Sequence, residues 1–122
     1  MKDFDFYFQL NSCVEIFVPS TLNRNEHSAE AEAVQATIVD HLISRFSEMF
    51  GGATVIDGVG GWFDGSNVIK ESVKIVQAYC TAEQFGANLE KVVTLARKVC
   101  REMNQDAVTL RFNGQTAFIS QN

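Results

Sequence analysis

The chain has 122 residues and a formal net charge of −5, and 46% of its residues are hydrophobic, including ten phenylalanines. This length fits one domain over residues 1–122, and the apolar content is sufficient for a core. The acidic balance argues against generic binding to nucleic acid or to anionic membranes. No apolar run reaches the roughly 18 residues that a membrane-spanning helix needs. The acidic start of the sequence is unlike a signal peptide, so we expect a cytoplasmic protein.

The first predicted element is a strand that begins close to the N-terminus. Apolar and polar residues alternate in residues 3–10, and the apolar members are Phe4, Phe6, Phe8 and Leu10. The same even-numbered parity continues through residues 13–18 until Pro19 ends the strand. This pattern favours one long bent strand over a hairpin at residues 11–12. We expect residues 1–12 to extend a core over residues 13–119 and, as an uncovered apolar strand, to contribute to a homodimer or larger homo-oligomer.

Two helices are predicted near residues 28–50 and 82–103 from apolar residues at helical spacing. Ser28 is a good N-cap for the first helix, and Gly51 is typical of a residue that ends one. Thr81 and Gln84 have the spacing of a capping box at the start of the second helix.

The remaining segments read as strands near residues 53–63, 68–80 and 106–112, with a tight turn at residues 64–67 between the first two. Asn113-Gly114 predicts a type I′ turn into a short return strand over residues 115–119. The order β, α, β-hairpin, α, β predicts an α+β, ferredoxin-like βαββαβ fold. Its antiparallel sheet would carry two helices on one face and leave the other face open.

Few residues suit catalysis or metal binding. The three cysteines, Cys13, Cys80 and Cys100, lie among apolar residues and contain no CxxC pair, which favours reduced core thiols. His27 and His41 have no partner at a metal-binding spacing and are best read as surface residues. We therefore expect no metal and no cofactor, and we assign no catalytic residue.

A glycine-rich stretch over residues 58–61 leads directly into Trp62. It is not a phosphate-binding loop, because such a loop must be followed by a helix N-terminus. A β-bulge or a close strand crossing explains the glycines better. Trp62 either packs on the rim of the sheet or stacks on a ligand.

The strand at residues 68–80 has two different faces. We predict that its odd-numbered face meets the helices, which would turn Glu71 inward near the end of the hairpin or leave it in water beyond the core. Lys70, Ser72 and Lys74 would then share the open face with Arg111 of the last core strand. Such a modestly basic patch could bind a small anionic ligand through Lys70, Lys74 and Arg111. It could equally be a solvated sheet or part of a dimer interface.

The chain resembles a group of small uncharacterised bacterial and mobile-element proteins. The resemblance rests on an F-G-G-A-T run at residues 50–54, a G-x-W segment at residues 60–62, the turn that follows, and a Glu at position 71. It extends over roughly residues 15–118. It implies the same ferredoxin-like fold, draws attention to Trp62 and Glu71, and implies no particular activity.

The leading functional hypothesis is a non-enzymatic oligomeric module that binds a small, anionic ligand or a protein partner, with Trp62, Lys70, Lys74, Arg111 and Glu71 as the ligand-binding residues. One alternative is a cofactor-independent enzyme of the dimeric ferredoxin-like type, with Glu71 or a histidine as the base. Another is a regulatory or anti-defence protein of a mobile element that acts by sequestration.

Overall fold

The computed structural model describes residues 7–22 and 28–122. Within them the chain forms β1 (Ser12–Pro19), α1 (Ala29–Phe50), β2 (Thr54–Phe63), β3 (Val68–Cys80), α2 (Ala82–Glu102), β4 (Val108–Phe112) and β5 (Gln115–Ile119). The five strands of the described residues make one antiparallel sheet in the order β2-β3-β1-β4-β5. The ferredoxin-like α+β prediction is confirmed, with β5 added at one edge.

The ends of both helices follow from the local chemistry that the sequence predicts. The hydroxyl of Ser28 accepts a hydrogen bond from the backbone N–H of Ala31, and Gly51 ends α1 with a left-handed φ of 92°. Thr81 and Gln84 form the predicted capping box at the start of α2.

The predicted turns are also present. The carboxylate of Asp64 accepts the backbone N–H groups of Ser66 and Asn67 and closes the β2–β3 turn, and these bonds hold the pKa of Asp64 below its usual value. Asn113 and Gly114 both have positive φ, at 50° and 79°, as the turn between β4 and β5 requires.

The core lies between the two helices and the even-numbered face of the three central strands. The sheet contributes Val14, Ile16, Val18, Val76, Ala78, Cys80, Val108 and Leu110. These residues pack against the buried sides of α1 and α2, where the fully buried large side chains include Leu42, Phe46 and Val92. All three cysteines are free thiols, and Cys80 and Cys100 belong to the core as predicted. Cys13 is half-buried and lies outside the core, which corrects the prediction for that residue.

The orientation that we predicted for β3 is wrong. Val76, Ala78 and Cys80 face the helices, so the odd-numbered residues of β3 lie on the open face. The odd-numbered face of β3 carries larger apolar residues, including Ile75 and Tyr79. The core instead takes small side chains from this central strand, which lets the helices pack closely on the sheet.

The N-terminal strand prediction is corrected for the part that the structure describes. Residues 7–11 are not in a strand, and β1 begins at Ser12. Tyr7, Phe8 and Leu10 are exposed. The rest of the predicted segment, together with His27, lies outside the described residues.

Candidate functional site

The residues of β2 and β3 that lie on the open face form the candidate site. The ladder between the two strands is continuous and pairs Gly60 with Glu71 and Trp62 with Ile69. Of the two explanations considered for the glycines at residues 58–61, the β-bulge is therefore absent. Because side chains alternate across a strand, Gly58, Gly60 and Trp62 share the open face with Glu71.

Gly60 leaves a gap in the surface of this face. A Cβ atom added at Gly60 would meet only the backbone oxygen of Glu71, at 3.9 Å, and the backbone of Gly60 has no positive φ. Neither packing nor conformation therefore requires glycine at this position. The gap exposes the strand backbone beside Glu71, where a flat ligand could lie against it.

Glu71 is half-buried, and its carboxylate is held by a buried hydroxyl. The Oγ1 atom of Thr21 donates a hydrogen bond to Oε2 of Glu71 at 3.0 Å, and Thr21 is only 1% exposed. The inward orientation considered for Glu71 is not found, because the residue lies on the opposite face of the sheet. Thr21 was not singled out by sequence reasoning, since it follows Pro19 in a segment that reads as a loop.

Trp62 is about half exposed, at 47%, and lies two residues along β2 from Gly60. Two residues of a strand span about 6.6 Å, so the indole can reach a ligand that also contacts Glu71. Aromatic rings at such positions offer a flat apolar surface for stacking. The indole and the carboxylate thus lie close together on the open face.

The predicted basic patch does not form. Lys70 and Lys74 lie on the helix side of β3, and Lys74 pairs with Asp57 there. Arg111 lies on the open face, as predicted, and its guanidinium is 3.6 Å from the carboxylate of Glu15. Glu15 is opposite Gln77 of β3, six residues from Glu71, which corresponds to about 20 Å along the strand. Arg111 is therefore remote from Glu71.

Other features of the described residues give weaker support for a functional site. The shallow cleft between α1 and the β2–β3 hairpin has a volume of about 430 Å³ and is lined by Gln35, Asp57 and Lys74 among others. The amide of Gln35 is bonded to the carbonyls of Val18 and Pro19, so it joins α1 to the end of β1. Across the described ranges, no group of acidic, histidine and cysteine side chains is arranged to hold a metal ion. The same ranges contain no helix that is long and apolar enough to cross a membrane.

The architecture is that of an α+β protein of ferredoxin-like type, and the candidate site lies on its open sheet face. No protein-family model matches the chain, and no curated protein matches it. Among solved structures the fold is similar to that of a phage SAM lyase in its apo state, with a TM-score of 0.62 and 15% identity over 98% of this chain and 96% of that chain. It is also similar to a phage SAM lyase in complex with S-methyl-5′-thioadenosine, with a TM-score of 0.61 and 15% identity over 97% of this chain and 96% of that one. At this identity the similarity concerns the fold.

Proposed function

We propose that the chain binds an adenosine thioether or sulfonium on the open face of β2 and β3, and that it is a lyase that cleaves S-adenosylmethionine. The observation that carries the proposal is the carboxylate of Glu71, held by the buried hydroxyl of Thr21 beside the gap at Gly60. The correspondence of fold with a phage SAM lyase over nearly the whole of both chains supports it. Under this proposal the protein is an enzyme rather than a purely binding module. An origin in a phage or another mobile element is consistent with the proposal.

The charge of the site favours a neutral or cationic ligand over the anion that the sequence suggested. Lys74 is paired with Asp57 and Arg111 with Glu15, so neither cation is available beside Glu71. The groups that this part of the open face offers to a ligand are the carboxylate of Glu71 and the indole of Trp62. S-adenosylmethionine carries a positively charged sulfur, and the protein as a whole has a net charge of −5, which attracts cations.

The reaction needs few groups from the protein. S-methyl-5′-thioadenosine remains when the bond between the sulfur of S-adenosylmethionine and its amino-acid side chain breaks. The bonding electrons go to sulfur and neutralise its charge, and the reaction balances if the carboxylate of the same amino-acid chain closes on the released carbon to form a lactone. No water and no external base is consumed. The protein therefore contributes mainly by holding the reacting atoms in line.

The loss of positive charge at sulfur decides which part of the ligand we assign to Glu71. A carboxylate against the sulfonium would stabilise the ground state, whose charge disappears as the bond breaks, and would slow the reaction. We therefore assign Glu71 to the ribose hydroxyls, which both the substrate and the thioether carry. Trp62 would stack on the adenine ring, a contact that contributes about 1–3 kcal/mol where aromatic side chains bind bases.

The test measures formation of S-methyl-5′-thioadenosine from S-adenosylmethionine and the affinity for both compounds. Glu71→Gln removes the charge but keeps an oxygen that can accept the Thr21 hydroxyl, so the fold should survive. We expect at least a tenfold loss of kcat/KM and a similar loss of affinity for both compounds. Arg111→Ala and Lys74→Ala serve as controls and should leave both measurements unchanged. A wild-type protein that neither binds nor converts these compounds would refute the proposal.

We also propose that the protein is a homo-oligomer in which the β2–β3 hairpin meets another copy. Pairing between β1 and β3 ends at Val73, so the outer part of the hairpin is a two-stranded ribbon. It exposes apolar residues on both faces, at Val59, Trp62, Phe63 and Val68. An isolated ribbon of this kind is marginally stable in water, and contact with a second copy would cover it.

A further inference from the structure

One row of polar contacts crosses the sheet beside the candidate site. The β1–β3 register pairs Pro19 with Val73, and two further residues in each direction bring Thr21 opposite Glu71. The β1–β4 register pairs Ile16 with Leu110, and five further residues in each direction bring Thr21 level with Gln105. Together with the pairing of Gly60 and Glu71, this gives the order Gly60, Glu71, Thr21, Gln105 across four chain segments.

Hydrogen bonds join the last three members of this row. Thr21 donates its only hydroxyl hydrogen to Oε2 of Glu71 at 3.0 Å, and its backbone carbonyl accepts from Nε2 of Gln105 at 2.9 Å. Thr21 is almost fully buried, so a water molecule cannot readily replace either bond. The hydroxyl therefore restricts Glu71 to the rotamers that keep one carboxylate oxygen against it.

Gln105 is itself fixed at the end of α2. Its backbone N–H donates to the carbonyl of Cys100 at 3.0 Å, and its own carbonyl accepts from the side chain of Gln121 at 3.0 Å. Its amide Nε2 also donates to the carbonyl of Met103 at 3.1 Å. Because its backbone N–H, its backbone carbonyl and its side-chain amide are all hydrogen-bonded, Gln105 is a rigid support for Thr21.

We infer that Thr21 is a positioning residue for Glu71 and that Gln105 holds Thr21 in place for this role. The functional consequence rests on the proposed function, since it assumes that Glu71 contacts the ligand. The structural part, a carboxylate fixed by a buried hydroxyl, does not depend on which ligand binds. Both parts can be tested separately.

The functional experiment compares Thr21→Val, which keeps the shape and removes the hydroxyl, with Thr21→Ser, which keeps the hydroxyl. The probe is S-methyl-5′-thioadenosine, titrated calorimetrically, together with kcat and KM for S-adenosylmethionine. We expect Thr21→Val to lose affinity about tenfold or more and Thr21→Ser to stay within about twofold of the wild type. Thr109→Val, on the open face of β4, is the matched control and should bind normally. Gln105→Leu should reproduce part of the loss and replaces Thr21→Val if that variant does not fold.

Two results would overturn the inference: wild-type affinity in both Thr21→Val and Gln105→Leu, or an equal loss in Thr21→Ser and Thr21→Val. If the wild type itself does not bind the thioether, the proposed function fails, and NMR still decides the structural part. A slowly exchanging Thr21 hydroxyl proton with a cross-peak to the Glu71 side chain supports the positioning role. A rapidly exchanging hydroxyl without that cross-peak contradicts it.

Discussion

Replacing Gly60 with alanine should separate stability from ligand binding. The added methyl group meets only one backbone oxygen, at 3.9 Å, which is an ordinary van der Waals distance. Replacing a glycine whose backbone any residue can adopt stabilises a protein by about 0.4–1 kcal/mol, because the unfolded chain loses conformational freedom. For a chain of this length the unfolding entropy corresponds to about 4 °C per kcal/mol, so we expect the Tm to rise by about 2–4 °C.

The same methyl group occupies the gap beside Glu71 where the ligand should lie against the strand. Its Cβ stands about 1.5 Å above the backbone, so a ligand in van der Waals contact with the strand would be displaced by a similar distance. Isothermal titration with S-methyl-5′-thioadenosine should therefore show a loss of at least tenfold.

Gly61→Ala is the matched control, because its Cβ would lie on the helix side, 3.7 Å from a methyl group of Val68. This variant should bind as the wild type does. Unchanged affinity in Gly60→Ala, or an equal loss in Gly61→Ala, would refute the reasoning that assigns the ligand to the open face.

Two further predictions concern stability and assembly. Burial raises the pKa of the Cys80 thiol above its ordinary value of 9.0. Above about pH 9 the folded state therefore keeps a proton that the unfolded state releases. The stabilising contribution of the protonated thiol is complete below about pH 9 and is lost as the pH rises through the folded pKa. Urea unfolding should give a lower free energy of unfolding at pH 10 than at pH 7.5, and the decrease should be smaller in Cys80→Ala. Equal decreases in the two proteins would contradict the assignment to Cys80. Light scattering should give a multiple of the 13.6 kDa chain mass, and Phe63→Ser, at the exposed hairpin, should shift it toward the monomer while circular dichroism still shows a folded chain. A monomeric wild type would rule the assembly out.

Local chemistry made the elements of this fold predictable. Ser28 and Thr81 each accept a backbone N–H from three residues further on, and Asn113 has the positive φ that its turn requires. The site was harder because it depends on which face of β3 meets the helices. Both faces of that strand carry apolar residues, so alternation alone could not decide between Ile75 and Val76.

Trp62 and Glu71 were recognised in the sequence, and the structure brings them to one face. The basic residues offered with them were grouped wrongly, because the reversed orientation of β3 moved Lys70 and Lys74 to the helix side. Thr21 and Gln105 were missed for a different reason. Their connection depends on the registers of two strand pairs, and nothing in the sequence near either residue indicates those registers.

The row from Gly60 to Gln105 also bears on the order of folding. Thr21 and Gln105 are 84 positions apart in the chain, and their hydrogen bond requires that β1 and β4 are already aligned. Contacts between such distant positions form late, because a long loop must close first. A chain emerging from the ribosome can complete this row only after residue 105 has been synthesised, so ligand binding would report on the final assembly of the sheet rather than on either helix.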